Sequence, residues 1–219
     1  MSKLISGGKI IYHKLLQHKV SDAFIYSGGA IMPLVDQFYH GYINYYINTH
    51  EQSAGHAATA YAKTSGKPGV LVVTSGPGLT NCITPITDAT NDSTPLIVFS
   101  GQVPLKAVGT NAFQECPSTE ITKSITKWSH LVTKTEELPD VIDEAFHLAM
   151  SGKPGAVHAG AGQGRPAAAP GRAGGPRTHG GFDPRAPAHR RGDRGQRRHH
   201  RGGRGTAHRY RRAPAGAPD

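Results

Sequence analysis

The sequence changes character abruptly after Val157, because no leucine, isoleucine, valine or methionine follows that residue. Every lysine lies before residue 154 and every arginine after residue 160. Residues 1–158 carry 11 lysines against 12 acidic residues, whereas residues 159–219 carry 14 arginines against three aspartates. The net charge of +10 therefore belongs to the C-terminal segment, and a hydrophobic core can form only from residues 1–158.

The segment 159–219 consists mainly of Gly, Arg, Ala and Pro. Such a composition buries too little apolar surface to offset the entropy of ordering, so we expect a disordered basic tail that binds polyanions nonspecifically. A dedicated nucleic-acid-binding function is the alternative, although only Phe182 and Tyr210 could stack on bases. The change to residues with GC-rich codons suggests a further hypothesis, a frameshift or gene fusion near codon 158.

Residues 1–158 alternate short apolar runs with stretches of helical periodicity. VLVVTS and PLIVFSGQ are typical of buried strands, and ELPDVIDEAFHLAMSG has the period of an amphipathic helix. Six such strands with helices between them predict an α/β domain, a doubly wound six-stranded mostly parallel sheet with helices on both faces. The last strand, which begins with PGAVH, is predicted to be cut short where the composition changes.

Cysteine usage and hydropathy exclude other classes of protein. Cys82 and Cys116 do not form a CxxC motif, and no run of about 18 apolar residues could span a bilayer. The start of the sequence has no continuous apolar region typical of a secretory signal. We therefore expect a protein of the cytoplasm or another intracellular soluble compartment. The histidine spacing predicts no metal site.

Two motifs could hold a ligand. TSGPGLTN follows a buried strand and opens a helix, so Gly76 and Gly78 could bring backbone N–H groups to a ligand, although the spacing alone favours a tight strand-to-helix turn. Glu51 begins an alanine-rich helix directly after the second strand, where open α/β sheets place ligands. A carboxylate is also favoured there by the helix dipole. Taken alone, the position of Glu51 favours the helix-dipole interpretation.

Five blocks of sequence carry a more specific signal: THEQSAGHAATAYAKTSGKPGVLVVTSGPGLTN, STPLIVFSGQVP, GTNAFQE, TKSITKWSHLV and DEAFHLAMSGKPG. Through them residues 5–158 resemble the N-terminal domain of the acetolactate synthase (acetohydroxyacid synthase) large subunit. The resemblance implies the domain that binds the aminopyrimidine half of thiamine diphosphate. The implied activity is decarboxylation of pyruvate and carboligation to a 2-oxo acid, in branched-chain amino acid biosynthesis.

The resemblance also implies roles for particular residues. Glu51 occupies the place of the family's catalytic glutamate, which hydrogen-bonds a ring nitrogen of the aminopyrimidine. That bond favours the imino tautomer, which takes the proton from the thiazolium carbon. Gln114 matches a residue at the cofactor and substrate, and Gly28, Gly29 and Ala30 match a loop beside the reaction centre.

Further positions match sites at the periphery. Phe113 matches a residue of the substrate entrance, and Lys106 and Lys127 match basic residues near the mouth of the substrate site. Ser93 and Lys153 match contacts to a bound FAD of structural role. These assignments follow from the resemblance and not from spacing.

Full-length members of the family have two more domains, one of which holds the diphosphate and Mg²⁺ through a GDG motif and a later asparagine. No GDG occurs in this sequence. Since the family's active site forms between two subunits, we expect half of a thiamine diphosphate site, no binding of FAD or Mg²⁺ by this chain alone, and no activity of the isolated chain. The expected partner is a second copy or a complete acetolactate synthase-like subunit, docked through the α/β domain. A non-catalytic partner of such a subunit is the alternative.

Overall fold

The computed structural model describes residues 4–162 together with Ala167 and Ala168. The segment 169–219 lies outside the described residues. The predictions of a disordered tail and of polyanion binding concern residues 159–219. Of that range the structure describes 159–162, 167 and 168, which lie in strands, and the rest is outside the described residues.

The helices and strands follow the alternation expected from the sequence. The helices of the described residues are α1 Gly7–Gln17, α2 Met32–Tyr39, α3 Glu51–Ser65, α4 Pro77–Thr80, α5 Ile83–Asn91, α6 Ser118–Lys123 and α7 Leu138–Met150. The strands are β1 Leu4–Ile5, β2 Asp22–Ile25, β3 Asn44–Ile47, β4 Gly69–Val73, β5 Leu96–Gln102, β6 Trp128–Val132, β7 Ala156–Gly162 and β8 Ala167–Ala168. Within this part of the chain no helix is both long and apolar enough to cross a membrane.

Six strands form one sheet in the order β3-β2-β4-β5-β7-β6, and every neighbouring pair is parallel. The predicted doubly wound sheet is thus confirmed. Strands β1 and β8 pair separately, as a short antiparallel ribbon.

Alternate residues of each strand enter two separate cores. Val70 and Val72 of β4 face the core that α1, α2 and α7 complete, whereas Leu71 and Val73 face the core completed by α3 and α5. Since both faces of the central strands are buried, an apolar residue is required at every position, which is why VLVV reads as a continuous apolar run.

The direction of winding reverses between β2 and β4. From β2 the chain moves outward to the edge strand β3, and then returns across β2 to form β4 on its other side. Helix α2, which follows β2, and helix α5, which comes after β4, therefore lie on opposite faces of the sheet. In open α/β sheets a crevice at such a point is where ligands bind.

Strand β7 continues to Gly162, past the position where the sequence predicts it to be cut short. It pairs with β5 over seven residues and with β6 over five, so backbone hydrogen bonds form on both of its sides. The small residues also suit crowded positions, because a Cβ on Gly162 would lie 2.8 Å from Leu105 Cδ2. Pairing between two strands here outweighs the weak β-propensity of Ala and Gly.

Candidate functional site

The crevice at the carboxyl edge is formed by loops that fold tightly against the strand ends. A Cβ on Gly28 would lie 2.5 Å from Thr74 Cβ, so only glycine allows the loop after β2 to rest on the end of β4. A Cβ on Gly101 would likewise lie 2.7 Å from Ala30 Cβ. Beside them a Cβ on Gly29 would meet no atom within 4 Å. The structure therefore brings Gly28 and Ala30 into close contact with the sheet and leaves open space at Gly29.

Glu51 is the first residue of α3 and is only 7% exposed. The helix begins there because the side chain of His50 accepts a hydrogen bond from the backbone N–H of Gln52, at 3.1 Å. Asn81 Nδ2 donates to Glu51 Oε2 at 3.0 Å. In the described part of the chain no other hydrogen bond reaches this carboxylate, so Oε1 is left to accept from a ligand.

Close packing of α3 on α5 brings Asn81 within reach of Glu51. A Cβ on Gly55 would lie 2.4 Å from Pro85 Cγ, so the two helices can approach this closely only with glycine at that position. Cys82, which follows Asn81, is fully buried, and its thiol donates to the Gly78 carbonyl. Burial, and then the nearby charge of Glu51, raises the pKa of the Cys82 thiol to about 12. Asn81 therefore lies on a fixed turn, and the thiol of the neighbouring Cys82 is uncharged.

The turn after β4 contacts the loop that carries Gln114. Gly76 has φ 52° and ψ −111°, and a Cβ there would lie 2.5 Å from the Gln114 carbonyl oxygen. The tight-turn interpretation of TSGPGLTN is confirmed, since the space at Gly76 is filled by protein backbone. The side chain of Gln114 is exposed, and Phe113 is 88% exposed. Lys106, in the single 3₁₀ turn after β5, lies at the same edge of the sheet.

A buried hydroxyl lies under the same loops. Thr74 Oγ1 is buried without a hydrogen-bond partner among the described residues. A buried hydroxyl without a partner costs free energy, and in native proteins such groups concentrate where a ligand, water or strain has a role. Together with Glu51 Oε1, the crevice offers two polar groups that the protein itself leaves unsatisfied.

Three of the predicted site residues lie at the opposite, amino edge of the sheet. Ser93 precedes β5, Lys127 precedes β6 and Lys153 precedes β7, and parallel strands place these positions together. The ammonium group of Lys127 donates to the carbonyls of Leu148 and of Ser151, the latter at 2.6 Å, at the end of α7. The structure of the single chain does not bring these three residues to Glu51.

A parallel α/β sheet with a buried carboxylate at its switch point defines a ligand-binding domain of the doubly wound class. The family model described as "Thiamine pyrophosphate enzyme, N-terminal TPP binding domain" matches residues 5–121. The chain therefore belongs to the thiamine pyrophosphate (thiamine diphosphate) enzyme family, and the part it contains is the N-terminal domain.

Relatives from three kingdoms are similar over the same region. The mitochondrial acetolactate synthase of Schizosaccharomyces pombe is 51% identical over 153 residues, which are 69% of this chain and 23% of the relative. The acetolactate synthase large subunit of Lactococcus lactis is 45% identical, over 72% of this chain and 28% of the relative. The chloroplastic acetolactate synthase of Arabidopsis thaliana is 45% identical, over 69% and 23%. The chain thus spans about a quarter of the length of these relatives.

Sequence reasoning assigned no role to Thr74 or Asn81, the first and last residues of TSGPGLTN. Their significance depends on which helices cross and which loops touch, and no local pattern encodes that. The one available signal was position: both follow the carboxyl end of a buried strand, as ligand-binding residues of such folds do.

Proposed function

We propose that the carboxyl edge of the sheet binds the aminopyrimidine half of thiamine diphosphate, with Glu51 Oε1 against a ring nitrogen. The observation that carries this proposal is the buried carboxylate of Glu51, held through one oxygen by Asn81 and unengaged at the other. The aminopyrimidine ring presents nitrogen acceptors and an exocyclic amine. A carboxylate and an unprotonated ring nitrogen are both acceptors, so one proton must lie between Glu51 Oε1 and the ring nitrogen, and the unpartnered Thr74 hydroxyl can donate or accept.

Thiamine diphosphate, when bound, supplies the nucleophilic carbon that attacks the carbonyl of a 2-oxo acid. Glu51 is assigned the catalytic role of holding a proton at the ring nitrogen. Asn81 orients the carboxylate. Gly28, Gly29 and Ala30 form the wall beside the ring, with open space at Gly29.

Other residues of this edge are assigned to the cofactor and the substrate. Gln114 contacts the cofactor, Phe113 lines the substrate entrance, and Lys106 supplies positive charge for the carboxylate of a 2-oxo acid. Their common position at the carboxyl edge supports these roles. Ser93 and Lys153, at the amino edge, belong instead to a separate surface for FAD.

Lys127 keeps its assignment to the substrate site only if a second subunit brings its carboxyl edge to this amino edge. Its ammonium group is already bonded to the end of α7, so binding a substrate carboxylate would require it to leave two backbone carbonyls.

The complete reaction, pyruvate decarboxylation followed by carboligation to a 2-oxo acid, needs more than this chain. In our proposal a second copy or a complete acetolactate synthase-like subunit docks on the α/β domain and supplies the groups that hold the diphosphate and Mg²⁺. The chain spans about a quarter of the length of its relatives, which supports a division of the active site between this domain and a second subunit. Given thiamine diphosphate, Mg²⁺, FAD and pyruvate, the isolated chain should form no acetolactate. Turnover by the pure chain would overturn the half-site proposal.

The arginine-rich segment supports a second, independent activity, nonspecific binding of polyanions inside the cell. With 14 arginines against three aspartates, residues 159–219 should bind duplex DNA with a logarithmic salt slope of about −0.9 per phosphate neutralised. Sequence preference that survives high salt would instead indicate a dedicated nucleic-acid-binding protein. Resequencing the codons for residues 157–161 tests whether a frameshift or fusion created this segment.

Equilibrium titration tests the main proposal. The free aminopyrimidine half of the cofactor should bind the chain about as tightly as thiamine diphosphate does, because the diphosphate-holding groups are not in this domain. Replacing Glu51 by Gln should weaken binding of both ligands at least tenfold, since a hydrogen bond to a charged group is lost. Glu144→Gln, at an exposed position on α7, is the matched control and should leave both affinities unchanged.

A further inference from the structure

The loop between β5 and α6 is folded around the carboxylate of Glu115. One carboxylate oxygen accepts from the backbone N–H of Gly109, and the other accepts from that of Ala112 at 3.0 Å. The N–H groups of Gly109 and Ala112, followed by those of Asn111 and Thr110, hold the pKa of Glu115 below its usual value. A ring of backbone donors that resembles an anion-binding nest is therefore filled by the loop's own side chain.

The backbone of this loop adopts conformations that need such support. Gly109 has φ 86°, and the non-glycine residues Asn111 and Gln114 both have φ 59°. Left-handed conformations are unfavourable for residues with a side chain and persist only where the surroundings fix them. The bonds to Glu115 span the segment in which these residues lie and hold it closed.

The ends of the loop are fixed to the sheet. Gln102 Nε2, at the end of β5, donates to the Cys116 carbonyl at 3.1 Å and to Ser118 Oγ at 3.4 Å. The Gln114 carbonyl lies against Gly76 on the other side. Phe113, 88% exposed, is thus held in place by the backbone of the loop and not by packing of its ring.

We propose that Glu115 is a positioning residue that pre-forms loop 109–115 and so presents Phe113 and Gln114 at the carboxyl edge before any ligand arrives. The roles of Phe113 and Gln114 rest on the function proposed above, whereas the closure of the loop by Glu115 does not. Because Glu115 fills the ring of N–H groups, these groups are not available to a substrate carboxylate. Lys106, which lies earlier in the connection between β5 and α6, is the cation that remains for such a carboxylate.

Hydrogen exchange of the backbone amides, followed by NMR on the full chain, tests this directly. In Glu115→Gln the amides of Gly109 and Ala112 should exchange about tenfold faster or more, because hydrogen bonds to a charged acceptor are lost. Glu144→Gln is the control with unchanged exchange. Unchanged protection in β4 and β5 shows that the variant is folded. Equal exchange at Gly109 and Ala112 in the wild-type chain and Glu115→Gln would overturn the proposal.

The pH dependence of amide exchange provides a second test, because a purely packing role of Glu115 would not make exchange depend on its protonation. After correction for intrinsic rates, protection at Gly109 and Ala112 should fall in the wild-type chain as Glu115 takes up a proton below its usual pKa, and should show no such step in Glu115→Gln. Cys116 is the titratable neighbour on which the charge of Glu115 acts, and its pKa is raised, chiefly by burial, so the thiol stays neutral throughout. A step of equal size in the variant would contradict the proposal.

The two proposals fail in different ways. If the loop amides of Glu115→Gln exchange faster but the aminopyrimidine binds neither the wild-type chain nor any variant, the role of Glu115 is supported and the proposed cofactor function is contradicted. If the aminopyrimidine binds through Glu51 but the loop amides exchange at the same rate in the wild-type chain and in Glu115→Gln, the cofactor function is supported and the role of Glu115 is contradicted.

Discussion

The two edges of one parallel sheet differ sharply in this molecule. At the carboxyl edge Glu51 is buried and half-satisfied, the Thr74 hydroxyl has no partner within the described chain, and Gly76 has a conformation that favours glycine. At the amino edge Ser93 and Lys153 are exposed. At the carboxyl edge a buried carboxylate and a buried hydroxyl lie together with unfilled hydrogen-bonding capacity, and this is the edge where open α/β sheets bind ligands.

The direction of the strands explains this difference. Helix N-termini meet the carboxyl edge, so their free N–H groups and the carboxylate of Glu51 gather there. Helix C-termini meet the amino edge, and there Lys127 bonds to free carbonyls at the end of α7, as cations commonly do. The ammonium group of Lys127 is thus satisfied within the domain.

The largest expected effect comes from Gly76→Ala, which would add a methyl group against the Gln114 carbonyl and force alanine to φ 52°. Backbone strain and overpacking together should lower the free energy of unfolding by about 4 kcal/mol. The control is Gly66→Ala, at φ 71° with no atom within 4 Å of the new Cβ, which should cost about 1 kcal/mol. Equal losses in urea titration would show that the carboxyl edge is not specially constrained.

The next largest effect concerns the sheet between the two edges, where His158 of β7 is fully buried. It bonds to Ser100 at 2.8 Å and Thr122 at 2.9 Å, and burial lowers its pKa to about 4. The unfolded chain takes up this proton near pH 6.5, so stability is intact above that pH and is lost as the pH falls toward 4. The loss should reach about 3 kcal/mol.

Urea titrations at several pH values measure this loss. Carboxylates titrate in the same range, so the histidine is isolated by comparing the wild-type chain with His158→Gln, in which this component should be absent. His147→Gln, at an exposed position on α7, should keep it. Identical pH profiles for the wild-type chain and His158→Gln would contradict the account of the buried histidine.

A smaller effect is expected from Asn81→Leu, which keeps the size of the side chain and removes the donor to Glu51. Affinity for the aminopyrimidine should fall about tenfold, because the carboxylate loses its orientation. In the Glu51→Gln background the same substitution should have no further effect. Additive losses in the double variant, measured by calorimetric titration, would show that Asn81 does not act through Glu51.

The smallest effect is expected at the amino edge. Lys127→Met removes the ammonium group from the end of α7 but should leave aminopyrimidine affinity of the single chain within about twofold, because the two edges are independent. The same titration measures it. A tenfold loss would contradict the independence of the two edges and would connect Lys127 to the pyrimidine site within a single chain.

Much of the fold could be predicted because its signals are local. Apolar runs marked the strands, Pro33 lies in the first turn of α2, and Gly66 ends α3 in the left-handed conformation. The position of Glu51 at the start of α3 followed from the same patterns. The length of β7 did not, because its alanines and glycines form a strand only through pairing with β5 and β6.

The site was only partly predictable. The bond between Asn81 and Glu51 depends on how closely α3 and α5 cross, which no local pattern encodes. The placement of Lys127 could have been predicted: it precedes a strand that runs parallel to its neighbours, and such a position lies at the amino edge. The role of Lys127 at the substrate site, which the resemblance implies, stays a prediction.

The most direct test of the central claim is ¹⁵N NMR of an aminopyrimidine labelled at its ring nitrogens, with the wild-type chain and with Glu51→Gln. The account predicts that binding to the wild-type chain shifts one ring nitrogen strongly, as expected for a hydrogen bond to the carboxyl group of Glu51, and that this shift is absent with Glu51→Gln. Equal shifts of both nitrogens, or the same shift with the two chains, would contradict the assignment of the carboxyl edge as the pyrimidine site.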